Sequence, residues 1–531
     1  MIPVYSVEQV RAAESRAFSQ LPEGELMARA VRGLFRVCRE VLTDRRGGLY
    51  GARVVILAGA GNNGADALWT GVRLVGRGVQ VTAISATDKV EPVSSNALRA
   101  VGGRLIGPEI SEAEFEALTS QADIVLDGLL GIGASGALRD PAATWSQALL
   151  HTPAEIISVD LPSGVDPDSG VIADPEAAIR ADQTVCLGTV KAGLLLGDGP
   201  DFAGEITLVD IGLLDYFDET AKSAPLLEVV DLDDASDLMA APQRFDNKYT
   251  RGVVGVVSGS EKYPGAAVLS TGGALQGGAG MVRYAGGAPG DVVAKWPEVV
   301  VESSVDHDSK TNAWVVGSGG GVDSLAAERL NLVLDASVPV VLDADGLTLV
   351  SESDDLRRKL TVRHSKGLPT VLTPHDGEFA RLGYQTTDVD GQARVATLTQ
   401  AANDLGAVIL LKGATTLVAT PDGHVFANDE ASPVLATAGS GDVLAGLLGS
   451  MLAHHAARLA QGSRQTTDLE AGRVAVSAAL IHGLAGIEAA SLLGSVVATD
   501  ILNELPAVLL ELELSNVEDD EGYDESEEVP R

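Results

Sequence analysis

The chain is poor in cysteine, aromatic residues and basic charge. Its two cysteines, Cys38 and Cys186, lie far apart with no Cys-x-x-Cys pair, which excludes a disulfide framework and a cysteine-ligated zinc site. That scarcity predicts a reducing, cytoplasmic setting. Lys and Arg number 38 against 74 Asp and Glu, a formal net charge of −36, so the average surface field repels a phosphate backbone or an anionic bilayer. Nucleic acid and membrane are not expected partners, yet a local site can still hold a nucleotide. No apolar run of about 18 residues lacks polar interruption, so no membrane span is expected. The opening "MIPVYSVEQVRAAESRAF" lacks the basic, apolar and small-residue order of a signal peptide; Ser6 followed by Gln9 predicts a capped helix instead.

What the sequence does have is glycine, 60 residues of 531, within a 45% hydrophobic composition that predicts globular α/β folding around more than one core. Two glycine-rich halves flank a stretch of scattered acids and prolines between Gly212 and Tyr249, with an edge strand at "LLEVVD". The expected domains are 1–220 and 221–515, followed by an acidic, disordered tail over 516–531. The halves carry different motifs, so fusion of unlike domains fits better than duplication.

In the first half, "RVVILAG" reads as a buried strand running into "GAGNNG", Gly59 to Gly64, and then a helix. Further strands are predicted in "VQVTAIS", "ADIVLDGLLG", "EIISVDLP" and "QTVCLG", an order that implies a mostly parallel sheet. The dinucleotide fingerprint is incomplete, because no acidic residue closes the next strand. Asn62, Asn63 and Asp66 offer hard oxygens, with Asp127 and Ser163 at other strand ends, a set suited to a monovalent cation or polar ligand. Turn geometry for the asparagines and a helix cap for Asp127 are the plain alternatives.

In order, "LMARAV", "GAGNNGADAL", "DGLLGIGASG", "SVDLPSGVDPDSG" and "TVKAGLLLG" resemble the NAD(P)H-hydrate epimerase family, over roughly residues 1 to 215. The resemblance implies a Rossmann-like fold and interconversion of the R and S epimers of hydrated NADH and NADPH. It implies substrate contacts at Asn62, Asn63, Gly64, Ala65 and Asp66, at Gly131, Ile132, Gly133, Ala134, Ser135, Gly136 and Ala137, and at Asp160. It also implies potassium ligands at Asn63, Asp127 and Ser163. At C6 of the hydrated ring the hydroxyl stands beside a nitrogen whose lone pair stabilises the developing cation, so one acid and one base suffice. Asp160 and Lys191 are the expected pair, with ribose orientation the alternative role for Asp160.

The second half repeats the α/β style in "GVVGVVSGS", "AWVVGSGGG", "PVVLDADGL", "PTVLTPHDGE" and "AVILLKGATTLVAT", each read as one strand ending in a polar or glycine loop. In "ATAGSGDVLAG", Asp442 opens a helix behind Gly439, Ser440 and Gly441, where amide donors can stabilise a transferring phosphate and the carboxylate can accept a hydroxyl proton. Lys412 can pair with nucleotide phosphate, and Thr415 or Thr416 can add a hydroxyl. His375 is a candidate for gripping substrate, and Asp376 and Glu378 for holding magnesium.

Together with "KYTRGVVGVVSGSEKYPGAAVLS", "LDADGLTLV" and "TPHDGEFARL", these segments resemble the ADP- or ATP-dependent NAD(P)H-hydrate dehydratase family, over roughly residues 230 to 512. The resemblance implies a ribokinase-like fold, substrate contacts at Ala266, Gly319, His375 and Asp442, and nucleotide contacts at Lys412, Gly413, Ala414, Thr415, Thr416 and Gly441. The chain departs from the family at "NDEASPVLATAGSGD", with Ala438 where glycine is common, and at "GSGGG" in place of a proline-containing loop. The expected function is repair of hydrated NADH and NADPH, with ADP or ATP as co-substrate, magnesium and potassium as ions, and a homo-oligomer as the assembly. The rivals are a small-molecule kinase fused to a regulatory domain and a first half that only binds nucleotide.

Overall fold

The computed structural model describes residues 1–133, 136–217, 224–238, 244–307, 310–386, 390–430 and 432–520. The chain divides into two compact units, one built on Pro3–Leu227 and one on Glu228–Thr386 with the chain beyond Val395.

In the N-terminal unit, strands β1 (Arg53–Ala58), β2 (Gln80–Ser85), β3 (Arg104–Ile106), β4 (Ile124–Gly128), β5 (Glu155–Val159), β6 (Gln183–Leu187) and β7 (Glu205–Val209) form one sheet in the order 3-2-1-4-5-6-7. Every pairing is parallel. The central strands are apolar on both faces because helices cover both, as the sequence predicts. Strand order reverses at β1, so the loops after β1 and β4 part from each other and leave a crevice between them. The predicted cap is present: Ser6 and Gln9 close a capping box on helix Val7–Gln20.

In the C-terminal unit the strands are β8 (Leu227–Val229), β9 (Val253–Val257), β10 (Met281–Tyr284), β11 (Val300–Val301), β12 (Ala313–Val316), β13 (Val340–Leu342), β14 (Thr370–Leu372), β15 (Val408–Leu411), β16 (Thr416–Ala419) and β17 (Val425–Asn428). They lie in the order 11-10-9-12-13-14-15-16-17-8. The segment "AVILLKGATTLVAT" is two antiparallel strands, β15 and β16, rather than one. Lys412 to Thr415 turn the chain between two equally apolar runs, and apolarity alone does not mark the break. The acidic end also departs from expectation: helix Ala498–Asp520 carries on through residues 516–520. Extending a formed helix fixes one residue per added hydrogen bond, far cheaper than starting one. Residues 521–531 of the predicted tail lie outside the described residues.

Helices Ser440–Gln461 and Asp468–Leu493 are long and apolar enough by composition to cross a bilayer, but each is interrupted by polar residues and most of each is buried within the unit. Ser440–Gln461 crosses helix Pro264–Gln276 at backbone distance, since a Cβ at Gly446 would sit 2.0 Å from the Ser270 carbonyl oxygen and one at Gly273 would sit 2.3 Å from that of Val443. Gly446→Ala must push these helices apart. The expected loss is about 1–3 kcal/mol, read as a lower urea midpoint with an unchanged slope.

Candidate active sites

The crevice of the N-terminal unit is a cavity of about 1120 Å³. Asn62, Asn63 and Asp66 line it from the β1 side, Gly131, Ile132, Gly133 and Ala137 from the β4 side, and Asp160 from the end of β5. It is roomy enough for a ligand of dinucleotide size. Gly64 and Ala65 are buried in the helix start and do not line it; a Cβ at Gly64 would lie 2.3 Å from the Gly59 carbonyl oxygen. Gly136 stays outside the lining, and the predicted contacts Ala134 and Ser135 lie outside the described residues.

Asp160 is buried and adopts φ +69°, a conformation that costs a non-glycine residue on the order of 1–3 kcal/mol and needs support from its surroundings. The Leu187 N–H donates to its Oδ1 (3.0 Å), as does the Lys191 ammonium. Lys191 also donates to the carbonyls of Leu187 (3.1 Å) and Thr189 (2.9 Å), so all three of its hydrogens are engaged. Its position follows from a two-residue strand, Val190–Lys191, paired in parallel with Val4 and Tyr5. The structure brings the predicted pair together, but only Asp160 faces the cavity.

Asp66 is 6% exposed, and its Oδ1 has no hydrogen-bond partner. Burial first, then the charges of Asp160 and Glu14, push its carboxyl up to about 8. Glu14 and Arg11 line the same cavity from helix Val7–Gln20, and burial and then Asp160 raise the Glu14 carboxyl too. Sequence reasoning missed both residues. The signal for Glu14 was present: it is an acid on the flank of the buried Val10, Ala13, Ala17 stripe.

Asp127, at the end of β4, and Ser163, beyond the end of β5, are hydrogen-bonded to each other, and Asn63, which lines the cavity, reaches the backbone of the same two segments. Asp127, wholly buried, accepts from Ser158 Oγ (3.0 Å), from the N–H (2.9 Å) and Oγ (2.7 Å) of Ser163, and from the Leu129 N–H (3.1 Å). Asn63 donates to the carbonyls of Leu130 (3.1 Å) and Val159 (2.7 Å). Burial raises the Asp127 carboxyl, opposed by these bonds. Both oxygens of the buried carboxylate are thus engaged, by two hydroxyls and two backbone N–H groups.

In the C-terminal unit the second constellation gathers at the carboxyl ends of β12 to β15. Asp343, buried after β13, accepts from Ser318 Oγ (2.9 Å), Thr373 Oγ1 (2.7 Å) and Lys412 Nζ (3.1 Å). Lys412 stands beside the GSGD loop, since a Cβ at Gly441 would lie 3.3 Å from its Nζ. Burial works against that ammonium, but Asp343, Glu378 and Asp442 outweigh it and raise its pKa. Gly439, at φ +92°, caps the helix that begins at Ser440. The N–H groups of Gly441 and Asp442 fall in the first turn, where a helix offers them no acceptor. The Asp442 carboxyl is pushed up to about 7 by burial and then Asp343, against Lys412 and a hydrogen bond with Ser318.

Other predicted residues take different places. Gly319 packs against Ala266, whose Cβ would be 2.6 Å from a Cβ there. His375 caps helix Asp376–Arg381: its Nδ1 accepts from the Gly377 N–H (3.0 Å), and Glu378 Oε2 accepts from its own N–H (3.0 Å). His375 also bridges the Lys412 backbone. Gly413 and Ala414 are exposed in the turn, whereas Thr416 is buried inside β16, opposite Asn428. Ser440 is buried, and its Oγ lies 3.3 Å from Nε2 of His482, a residue unnoticed in the sequence.

Two α/β units, each with a glycine loop and a buried carboxyl at the carboxyl ends of parallel strands, define a bifunctional enzyme. Residues 254–507 match the NAD(P)H-hydrate dehydratase family, and residues 23–193 match the YjeF-related protein N-terminus family. The chain is 41% identical over 451 residues to the bifunctional NAD(P)H-hydrate repair enzyme Nnr of Mycobacterium tuberculosis, covering 85% of this chain and 89% of that protein. It is 40% identical over 453 residues to the enzyme of the same name from Mycobacterium leprae, again 85% and 89%. A Bacillus subtilis ADP/ATP-dependent NAD(P)H-hydrate dehydratase structure is 24% identical, covering 54% of this chain and 99% of that one, with a TM-score of 0.46. The chain belongs to the family of bifunctional NAD(P)H-hydrate repair enzymes.

Proposed function

We propose that this chain repairs hydrated NADH and NADPH in two reactions. The C-terminal unit uses ADP or ATP to phosphorylate the C6 hydroxyl of the S epimer. The ring nitrogen's lone pair then expels phosphate, and loss of a C5 proton restores the dihydronicotinamide. Asp442 is the base that takes the hydroxyl proton; the Gly441 and Asp442 N–H groups, with Lys412 beside them, receive the charge of the transferring phosphoryl group. The observation that carries this reading is Asp442 opening a helix beside Lys412 at the carboxyl ends of the strands. His375 stands at the same edge to hold substrate.

Magnesium fits as part of the nucleotide complex, which needs only one or two carboxylates from protein. Asp376, exposed beside His375, would hold it, whereas Glu378 Oε2 accepts from the His375 N–H in the helix cap. Bound magnesium neutralises phosphate charge. The N-terminal unit interconverts the R and S epimers in its cavity, with Asp160 as the base and Lys191 as the positioning residue that fixes it. Asn63, Asp127 and Ser163 would hold potassium, a cation that would offset the buried Asp127 charge. The buried, unpaired Cys38 and Cys186 support a reducing, cytoplasmic setting.

The test is hydrated NADH incubated with the full chain, magnesium and ADP or ATP. The expected result is recovery of nicotinamide absorbance with one inorganic phosphate released per NADH. A stable phosphorylated product would instead make the C-terminal unit a small-molecule kinase.

A further inference from the structure

The epimerising cavity needs a proton donor as well as a base, and Lys191 does not meet that need. Its three hydrogens are held by Asp160, Leu187 and Thr189, and it does not line the cavity. Asp66 does line it, is more than nine-tenths buried, and has an oxygen with no partner. A buried carboxylate lacking a donor is costly, whereas the protonated acid can stay until substrate arrives. The groups around Asp66 favour the same state. Glu14 and Arg11 approach from helix Val7–Gln20, and Asp160 from the end of β5 with Lys191 behind it. Burial and the two neighbouring carboxylates push the Asp66 carboxyl up to about 8.

We propose that Asp66 is the proton donor of the epimerising site, giving its carboxyl proton to the C6 hydroxyl while Asp160 serves as the base on returning water. The inference rests on the epimerase reading of this cavity. In the forward half, the Asp66 O–H bond breaks and its proton goes to the C6 oxygen. The C6–O bond then breaks, its electron pair leaving with water, and the ring nitrogen's lone pair closes an iminium to C6. In the return half, water adds to the opposite face of C6, its proton passes to Asp160, and the iminium pair returns to nitrogen. One water leaves and one adds, and the proton moved from Asp66 to Asp160 is restored through solvent.

Asp66→Asn in the full chain preserves both the shape and the neutrality of the side chain, so it tests chemistry with little change in packing. Epimer exchange, followed by separating the R and S forms of hydrated NADH, falls about 100-fold, within the usual range for a lost general acid. The parent's kcat/KM declines above about pH 8 as Asp66 ionises, and the variant loses that limb. An infrared difference spectrum of parent against variant at neutral pH carries the band of a protonated carboxyl. Exchange in the variant within about threefold of a fully active parent overturns the proposal, since a general acid is worth far more. So does a difference spectrum without the protonated-carboxyl band. A parent chain that exchanges no epimers at all removes the epimerase reading itself, a result distinct from equal exchange in parent and variant.

Discussion

Asp442→Asn lowers nucleotide-dependent recovery of NADH by about 10³-fold, the scale expected when a positioned base is lost. The amide side chain cannot accept the hydroxyl proton, while the two backbone N–H donors in the first turn of the helix, at Gly441 and at the substituted position, are unchanged. The parent shows a rising pH limb with a midpoint near 7, because the buried carboxyl is pushed up to about 7 and must lose its proton to act. The stability effect has the opposite sign. The folded protein holds that proton more tightly than the unfolded chain, whose aspartates titrate near about 3.9, so ionisation costs stability as pH rises between these values. Above pH 7 the amide variant is therefore expected to be as stable as the parent or more so, by urea unfolding. A variant that loses activity together with stability at pH 8 would place Asp442 in the scaffold instead.

The sheets were legible because apolar strands alternate with helical spacing and end in glycine or polar loops. The position of both sites followed from the same pattern, since parallel α/β sheets open at the carboxyl ends of their strands. Residue roles were less accessible. Lys191 and Asp160 are 31 positions apart, and only the pairing of Val190–Lys191 with Val4 and Tyr5 shows that the ammonium turns into protein. Asp66 in "GNNGADAL" reads as a ligand oxygen, but its burial and the nearness of Glu14 depend on a helix some fifty residues earlier. Glu378 shows the converse. It reads as a metal ligand, but the same "HDGE" spacing closes a capping box.

Lys191→Met is expected to destabilise the N-terminal unit by about 3–5 kcal/mol, the cost of removing one partner from a buried ion pair. The methionine fills similar volume, so the loss is electrostatic more than steric. Lys191 and Asp160 are 1% and 6% exposed, and without the ammonium the Asp160 carboxylate keeps the Leu187 N–H as its remaining donor. Two carbonyls, those of Leu187 and Thr189, lose a donor as well. Asp160→Asn is the milder change, because the ammonium keeps both carbonyls and gains an amide oxygen. A double-mutant cycle across the two positions therefore gives a coupling energy of about 2 kcal/mol or more, since residues in one network couple by up to about 3 kcal/mol. Coupling under about 0.5 kcal/mol, the level of independent sites, would mean that the pair contributes no support to the strained Asp160 backbone. Epimer exchange separates the two effects: Lys191→Met loses it through displacement of Asp160, and Asp160→Asn loses it with the backbone still in place.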